Sequence, residues 1–226
     1  MLSVKQFSLS LNGSTLISNL HFDIADGQVL SIMGPSGIGK SSLLHFLSGT
    51  LHHGNQAGGL MASGEASLHG IDLNNQATEN RKVGLLQQMP LLFPHMSIIE
   101  NLLFAIPENL HRQDRYASAQ QALEKLGIPD KANALPKALS GGQQARVALL
   151  RTLLAKPDYL LLDEPFSKLD PALRRDVRAF VLNEIQQANI PALLVTHDPD
   201  DAKAMKGQCI ELNTRNTSNA DITTNK

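Results

Sequence analysis

Residues 28–41 read Gln28-Val29-Leu30-Ser31-Ile32-Met33-Gly34-Pro35-Ser36-Gly37-Ile38-Gly39-Lys40-Ser41, a short apolar segment that enters a glycine-rich turn and leaves it on Lys-Ser. The last eight residues fit G-x-x-x-x-G-K-[ST], the phosphate-binding P-loop. Each position has a physical reason. Glycines let successive backbone N–H groups curl around phosphate oxygens, and a helix starting at the lysine adds its partial positive charge. The lysine reaches the outer phosphates, and the hydroxyl after it serves a divalent cation. The required context is present, because Lys40 to Gly49 carries Leu43, Leu44, Phe46 and Leu47 at helical spacing. Gly34, Pro35, Ser36, Gly37, Ile38, Gly39, Lys40, Ser41 and Ser42 are therefore candidate phosphate contacts, and Ser41 is also a candidate metal ligand.

Downstream, Tyr159-Leu160-Leu161-Leu162-Asp163-Glu164 is an apolar strand ending in two carboxylates. Beside a P-loop this is the form of a Walker B strand, with Asp163 as a metal ligand. Glu164, one residue on, faces the outermost phosphate and is a candidate general base for an attacking water. Without the P-loop the same residues would read as a solvated strand end. Leu139-Ser140-Gly141-Gly142-Gln143 opens a further helix near Gly142. Its free N–H groups are able to hold phosphate, though by itself the segment would read as a helix cap.

The elements around these motifs set the fold class. Val4, Phe7, Leu9 and Leu11, then Leu16, Ile17, Leu20, Phe22 and Ile24, flank Asn12-Gly13-Ser14 and predict a β-hairpin. Residues 52–64, polar and glycine-rich and including His52-His53, read as a surface loop before a strand from Glu65 to Leu68. From Ser97 to Gly127 the apolar pattern is helical, interrupted at Pro107. Gly142 to Ala155 predicts a helix, Tyr159 to Leu162 a buried strand, Pro171 to Ala188 a helix and Ala192 to Val195 another strand. Such alternation implies a parallel α/β sheet. Asn213 to Lys226 holds only Ala220 and Ile222 as apolar residues, so a disordered tail is expected.

Composition excludes several alternatives. The 226 residues carry 20 Lys+Arg against 21 Asp+Glu, and 42% are apolar, which suits one folded unit and offers no broad basic surface for nucleic acid. The longest apolar run, Leu102 to Ile106, is far short of the roughly 20 residues of a membrane-spanning helix. The N-terminus lacks the pattern of a signal peptide, and the single Cys209 suits a reducing compartment.

A P-loop, then Leu-Ser-Gly-Gly-Gln, then Walker B resembles the ATPase subunit of ABC transporters, and the resemblance covers residues 1–212. It implies an α/β P-loop NTPase core with a mainly parallel sheet, an N-terminal antiparallel β subdomain and an inserted α-helical subdomain at about 89–140. It implies ATP and Mg²⁺ as cofactors. Gln88 resembles the Q-loop glutamine that touches Mg²⁺ and the attacking water, although locally it reads as an exposed loop amide. Val195-Thr196-His197-Asp198 resembles the switch-histidine motif, which implies that His197 contacts the γ-phosphate and organises the water, where a lone histidine would otherwise be structural. Ser167-Lys168-Leu169-Asp170 resembles the D-loop, which implies that Asp170 lies near the subunit interface, and a helix cap by Asp170 before Pro171 is an equally good local explanation. Gln88, Glu164 and His197 are then the catalytic set, Ser41, Gln88 and Asp163 the metal set, and Ser140, Gly141, Gly142, Gln143 and Asp170 nucleotide contacts made across a head-to-tail dimer. The implied partners are a second copy of the chain, a separate transmembrane permease docking beside Gln88 and residues 89–101, and an extracytoplasmic solute-binding protein. The implied location is the cytoplasmic face of the cell membrane. Phe93-Pro94-His95-Met96-Ser97 with Glu100-Asn101 resembles importers of the thiamine, polyamine, sulfate and ferric iron type. Two departures stand out. Leu11 occupies the place of the adenine-stacking aromatic, with Phe7 too early, so GTP should compete better than usual. Gln144 and Ala145 replace a basic residue and glutamine, while Arg146 and Arg151 keep the pattern.

Overall fold

In the computed structural model, which describes residues 1–52, 54–55, 59–213 and 221–224, the hairpin is formed by Leu2–Leu11 (β1) and Ser14–Ile24 (β2). Val29–Met33 (β3) then leads through the P-loop into Lys40–Ser48 (α1). Gly54–Asn55 (β4), Leu60–Leu68 (β5) and Ile71–Asp72 (β6) complete an antiparallel sheet of order β2-β1-β5-β4, with β6 also on β5. The strand expected from Glu65 thus starts at Leu60. Its first half is held by main-chain pairing to β1, Leu11 opposite Leu60 and Ser10 opposite Met61, which no local pattern advertises. The expected loop is correspondingly shorter, and His53 and residues 56–58 lie outside the described residues.

Val83–Leu86 (β7) is followed by the helical insertion, Ile98–Ala105 (α2) and Arg112–Lys125 (α3). Ser97 caps α2 in a capping box with Glu100, so the helix begins where its donors are satisfied. Gly141–Leu154 (α4), Tyr159–Asp163 (β8), Pro171–Ala188 (α5) and Ala192–Val195 (β9) follow, each within one residue of its sequence expectation. Pro199–Ala204 (α6) and Gln208–Glu211 (β10) have no counterpart among those expectations. Asp221–Thr224 (β11), within the tail expected to be disordered, pairs antiparallel with β10, whose open edge offers free backbone groups. Residues 214–220 and 225–226 of that tail lie outside the described residues.

The second sheet has the order β11-β10-β3-β9-β8-β7 and is parallel from β10 to β7. Its central strands are buried on both faces, which is why they read as unbroken apolar runs. Successive residues go to opposite cores. Tyr159 and Leu161 pack with α1 and the antiparallel sheet, whereas Leu160 and Leu162 pack with α4, α5 and the helical insertion. The carbonyl end of α1 is closed from the side. Arg81, only 6% exposed, donates to Phe46 O (3.0 Å) and Leu47 O (2.8 Å), and the Tyr159 hydroxyl donates to Leu47 O (2.9 Å). The helix that follows the phosphate loop is therefore fixed at its far end. Among the described residues no helix is long and apolar enough to cross a membrane.

Candidate active site

The P-loop, the residues after β9, the end of β8 and the residues after β7 all lie at the carboxyl edge of the parallel sheet, where α/β proteins bind ligands. Because β3, β9, β8 and β7 are consecutive neighbours, these segments stand side by side. The P-loop needs its glycines. Gly39 has φ 104°, and a Cβ there would lie 2.4 Å from Leu9 Cδ2, inside the hairpin core. Lys40 arches back over the loop, its Nζ donating to Gly34 O (2.7 Å) and Pro35 O (2.9 Å). Burial pushes its ammonium pKa down, while Glu164 and Asp163 pull it back up.

The Ser41 hydroxyl stands close enough to the Asp163 carboxylate to pull its pKa down, so two of the three sequence-predicted metal ligands do meet. Burial raises the Asp163 pKa and Glu164 adds to this, against the hydrogen bond from Ser41 and the charges of His45 and Lys40. A carboxylate held in that state gains from a cation, and a hydroxyl beside a carboxylate is the hard oxygen set that suits Mg²⁺.

Glu164 has φ 48°, and its N–H is held by Val195 O (2.9 Å). Its side chain, 14% exposed, meets the other two candidate catalytic residues: Oε1 lies 2.8 Å from His197 Nδ1, and Oε2 accepts from Gln88 Nε2 (3.3 Å). An ionised carboxylate can only accept, so this contact puts a proton on Nδ1 of His197. Three strand ends thus deliver an amide, a carboxylate and an imidazole to one point, and none of the three is close to another in sequence.

The signature segment lies elsewhere. Ser140 caps α4 in a capping box with Gln143, and Gln144 Nε2 ties the turn to Pro136 O (3.0 Å) and Leu139 O (3.2 Å). Ser140 and Gly142 line a depression with Ser167, Lys168, Leu169 and Asp170, and no P-loop residue lines it. Asp170 acts as the N-cap of α5, accepting from Ala172 N (3.1 Å). Within one chain, Ser140, Gly141, Gly142, Gln143 and Asp170 are therefore not assembled with Lys40. In the hairpin, Phe7 is fully buried with its ring 5.1 Å from that of Phe46, whereas Leu11 is 39% exposed at the end of β1. Phe7 is thus unavailable as a stacking face. Sequence reading misses the supports of the site, chiefly Arg81 and the charged residues around Thr196, because each acts on a segment remote in the chain.

The family model described as "ABC transporter" matches residues 17–167. The ABC transporter ATP-binding protein YnjD of Escherichia coli (strain K12) is 43% identical over 204 residues, covering 90% of this chain and 92% of that protein. The sulfate/thiosulfate import ATP-binding protein CysA of Salmonella typhi is 32% identical over 97% of this chain, which spans 60% of that longer protein. The thiamine import ATP-binding protein ThiQ of Photobacterium profundum is 38% identical over 84% of this chain and 77% of that protein. The fold matches that of the ATP-binding cassette MJ0796, solved as a dimer in a post-hydrolysis state with ADP and Pi, with a TM-score of 0.83 at 24% identity over 100% of this chain and 99% of that one.

Proposed function

The chain belongs to the ABC transporter family of ATP-binding proteins, and from that premise we propose that it is the ATP-hydrolysing subunit that powers a separate membrane permease, in the direction of import. The observation that carries the reading is the convergence of Gln88, Glu164 and His197 on one point at the sheet edge that also carries Lys40 and the Ser41–Asp163 pair. ATP lies with its phosphates in the P-loop, against the backbone N–H groups of Gly37, Ile38, Gly39 and Lys40 and the ammonium of Lys40. Lys40 then trades its two loop carbonyls for phosphate oxygens, a stronger pairing because both partners are charged. Ser41, Asp163 and Gln88 would hold Mg²⁺, which would supply positive charge to offset the negative charge building on the phosphate oxygens.

Glu164 takes a proton from the attacking water as its oxygen bonds to the γ-phosphorus and the bond to the bridging oxygen breaks, releasing ADP and inorganic phosphate. His197 and Gln88 orient the Glu164 carboxylate from either side. The second half of the site comes from another copy of the chain. Its Ser140, Gly141, Gly142 and Gln143 open a helix whose N-terminus faces outward from a depression that holds no P-loop residue, which favours a phosphate brought by a partner. ATP binding closes the dimer head to tail and hydrolysis opens it. The permease docks beside Gln88 and residues 89–101 at the cytoplasmic face, with a solute-binding protein delivering cargo from the other side. The import names of CysA and ThiQ support that direction.

The test is Glu164→Gln, which keeps size and one accepting oxygen while removing the base. ATP affinity should stay within about twofold, and turnover should fall at least about a hundredfold, with an ATP-bound dimer accumulating. Near wild-type turnover overturns the assignment.

A further inference from the structure

A charge cluster built around the buried Asp201 lies behind the loop that carries His197, its other members half-buried. Thr196, fully buried, continues β9 through its N–H to Ile32 O (3.2 Å). Its hydroxyl does two things at once, donating to Asp201 Oδ2 (3.0 Å) and accepting the N–H of Asp198 (3.0 Å). Both neighbours of His197 are therefore tied to one oxygen. Asp201, 2% exposed, receives Arg178 at Oδ1 through both Nε (2.7 Å) and a terminal nitrogen. The Arg178 guanidinium lies 5.9 Å from the centre of the Phe166 ring, two residues after Glu164. Asp198 is gripped as well: Oδ2 takes Arg174 (3.0 Å) and lies 3.5 Å from Arg178, while Oδ1 caps α6 through Asp200 N (2.9 Å). Arg174 reaches on to Leu169 O (3.4 Å), one residue before the cap of α5.

Such an arrangement is a poor way to add stability, because desolvating buried ions offsets most of their attraction and an apolar replacement is often neutral. What it does supply is geometry. Arg174 and Arg178 of α5 and Asp200 and Asp201 of α6 converge on the two residues flanking one histidine, and that histidine reaches Glu164 at 2.8 Å with its ring otherwise 60% exposed. An exposed ring takes its direction from its backbone.

We propose that Thr196, Asp201 and Arg178 are positioning residues for His197, the Thr196 hydroxyl fixing the backbone on both sides of the ring and so setting the Nδ1 contact with Glu164. The proposal rests on the reading of His197 as an active-site group. It also gives α5, whose cap Asp170 lies on the face assigned to the partner copy, a mechanical link to the histidine through Arg174 and Arg178.

The test uses the full chain with isotope-labelled histidine. Thr196→Val keeps the shape and removes the hydroxyl, Thr196→Ser keeps the hydroxyl, and Arg178→Lys keeps the charge but loses the fork. In Thr196→Val the His197 imidazole nitrogen resonances should move from their wild-type positions. kcat should fall about tenfold to a hundredfold with KM for ATP changed less than about twofold, and Thr196→Ser should restore both. Arg178→Lys should show the same displacement in smaller measure, and it decides the matter if the valine variant does not fold. Resonances unmoved in both variants overturn the proposal, whether or not turnover falls. His197→Ala assigns the resonances and separates the two claims: wild-type turnover there sinks the catalytic reading of His197, while the resonance shifts still decide what positions the ring.

Discussion

Arg81→Ala should loosen the phosphate loop from the far end of its helix. Arg81 gives three hydrogen bonds, to Phe46 O, Leu47 O and Gln76 O (3.2 Å), and its guanidinium lies so close to Gly49 that a Cβ there would sit 2.7 Å from Nε. A hydrogen bond from a charged donor contributes roughly 1.5–3 kcal/mol, and orphaned acceptors cost more. Neither helix carbonyl is orphaned by the change. Leu47 O keeps the Tyr159 hydroxyl, whose pKa burial pushes up to about 12 so that it stays a donor, and Phe46 O keeps Gly49 N at 3.2 Å. The loss is therefore nearer one strong bond than three, with the helix-dipole term and the packing of the buried stem added, about 3 kcal/mol in all. For a chain of this size that is about 6–12 °C in Tm. Equilibrium denaturant unfolding measures it, with ATP affinity by calorimetry as the functional readout, since Lys40 and Ser41 stand at the other end of α1. Arg81→Lys should recover less than half, because an ammonium cannot reach the carbonyls as a fork. Stability within about 0.5 kcal/mol of wild type for the alanine variant would refute the clamp.

Other perturbations probe the site directly. Asp163→Asn should leave the nucleotide-free chain as stable as wild type or more so near neutral pH, since a folded-state pKa raised by burial means that the ionised form is held at a cost above that pKa; the gap should shrink as pH falls through it, and a less stable variant at neutral pH would contradict the sign. Leu11→Tyr should tighten ATP by roughly 1 kcal/mol and sharpen the preference over GTP, and competition binding that shows strong wild-type rejection of GTP with no gain in the variant would place the base elsewhere. Mixing Lys40→Ala with Ser140→Arg chains, in the presence of the permease, should return some activity from two inactive variants, because one heterodimer site is then intact. A mixture that stays inactive while both variants still dimerise would sink the shared site.

What can be read in the sequence is what is local or has a fixed spacing. The P-loop is eight consecutive residues between a strand and a helix, and the two-sided burial of β8 and β9 leaves unbroken apolar runs. Ser140 and Asp170 follow the same rule from the other side: their cap chemistry is local, so the structure reports it as readily as the sequence does, and neither alone distinguishes a cap from a phosphate contact. The first half of β5 escapes a local reading because it exists by pairing with β1 across some fifty residues, and glycine is needed at Gly64 because a Cβ there would lie 2.7 Å from Phe7 Cα on β1. Arg81 and Arg178 escape it for a related reason. A charged residue in sequence reads as solvent-exposed, and only the fold reveals that Arg81 is buried against carbonyls and Arg178 half-buried against carboxylates from other elements.

The same distinction bears on how the site works. Lys40, Ser41, Asp163 and Glu164 can be nominated one by one, but the reactive geometry lies in contacts such as His197 to Glu164 and Gln88 to Glu164, which join residues 33 and 76 positions apart. Those contacts depend on the order of β7, β8 and β9 in the sheet, and their precision depends on side chains such as Thr196 that touch no substrate. A substitution on the apolar face of β8 or β9 that shifted one strand against its neighbour would therefore disturb Glu164 relative to His197 before it disturbed the P-loop, which is anchored separately by α1 and Arg81. Turnover should be more fragile to such core changes than ATP binding is, because the phosphate contacts of the P-loop come from one continuous segment and turnover from the mutual placement of three.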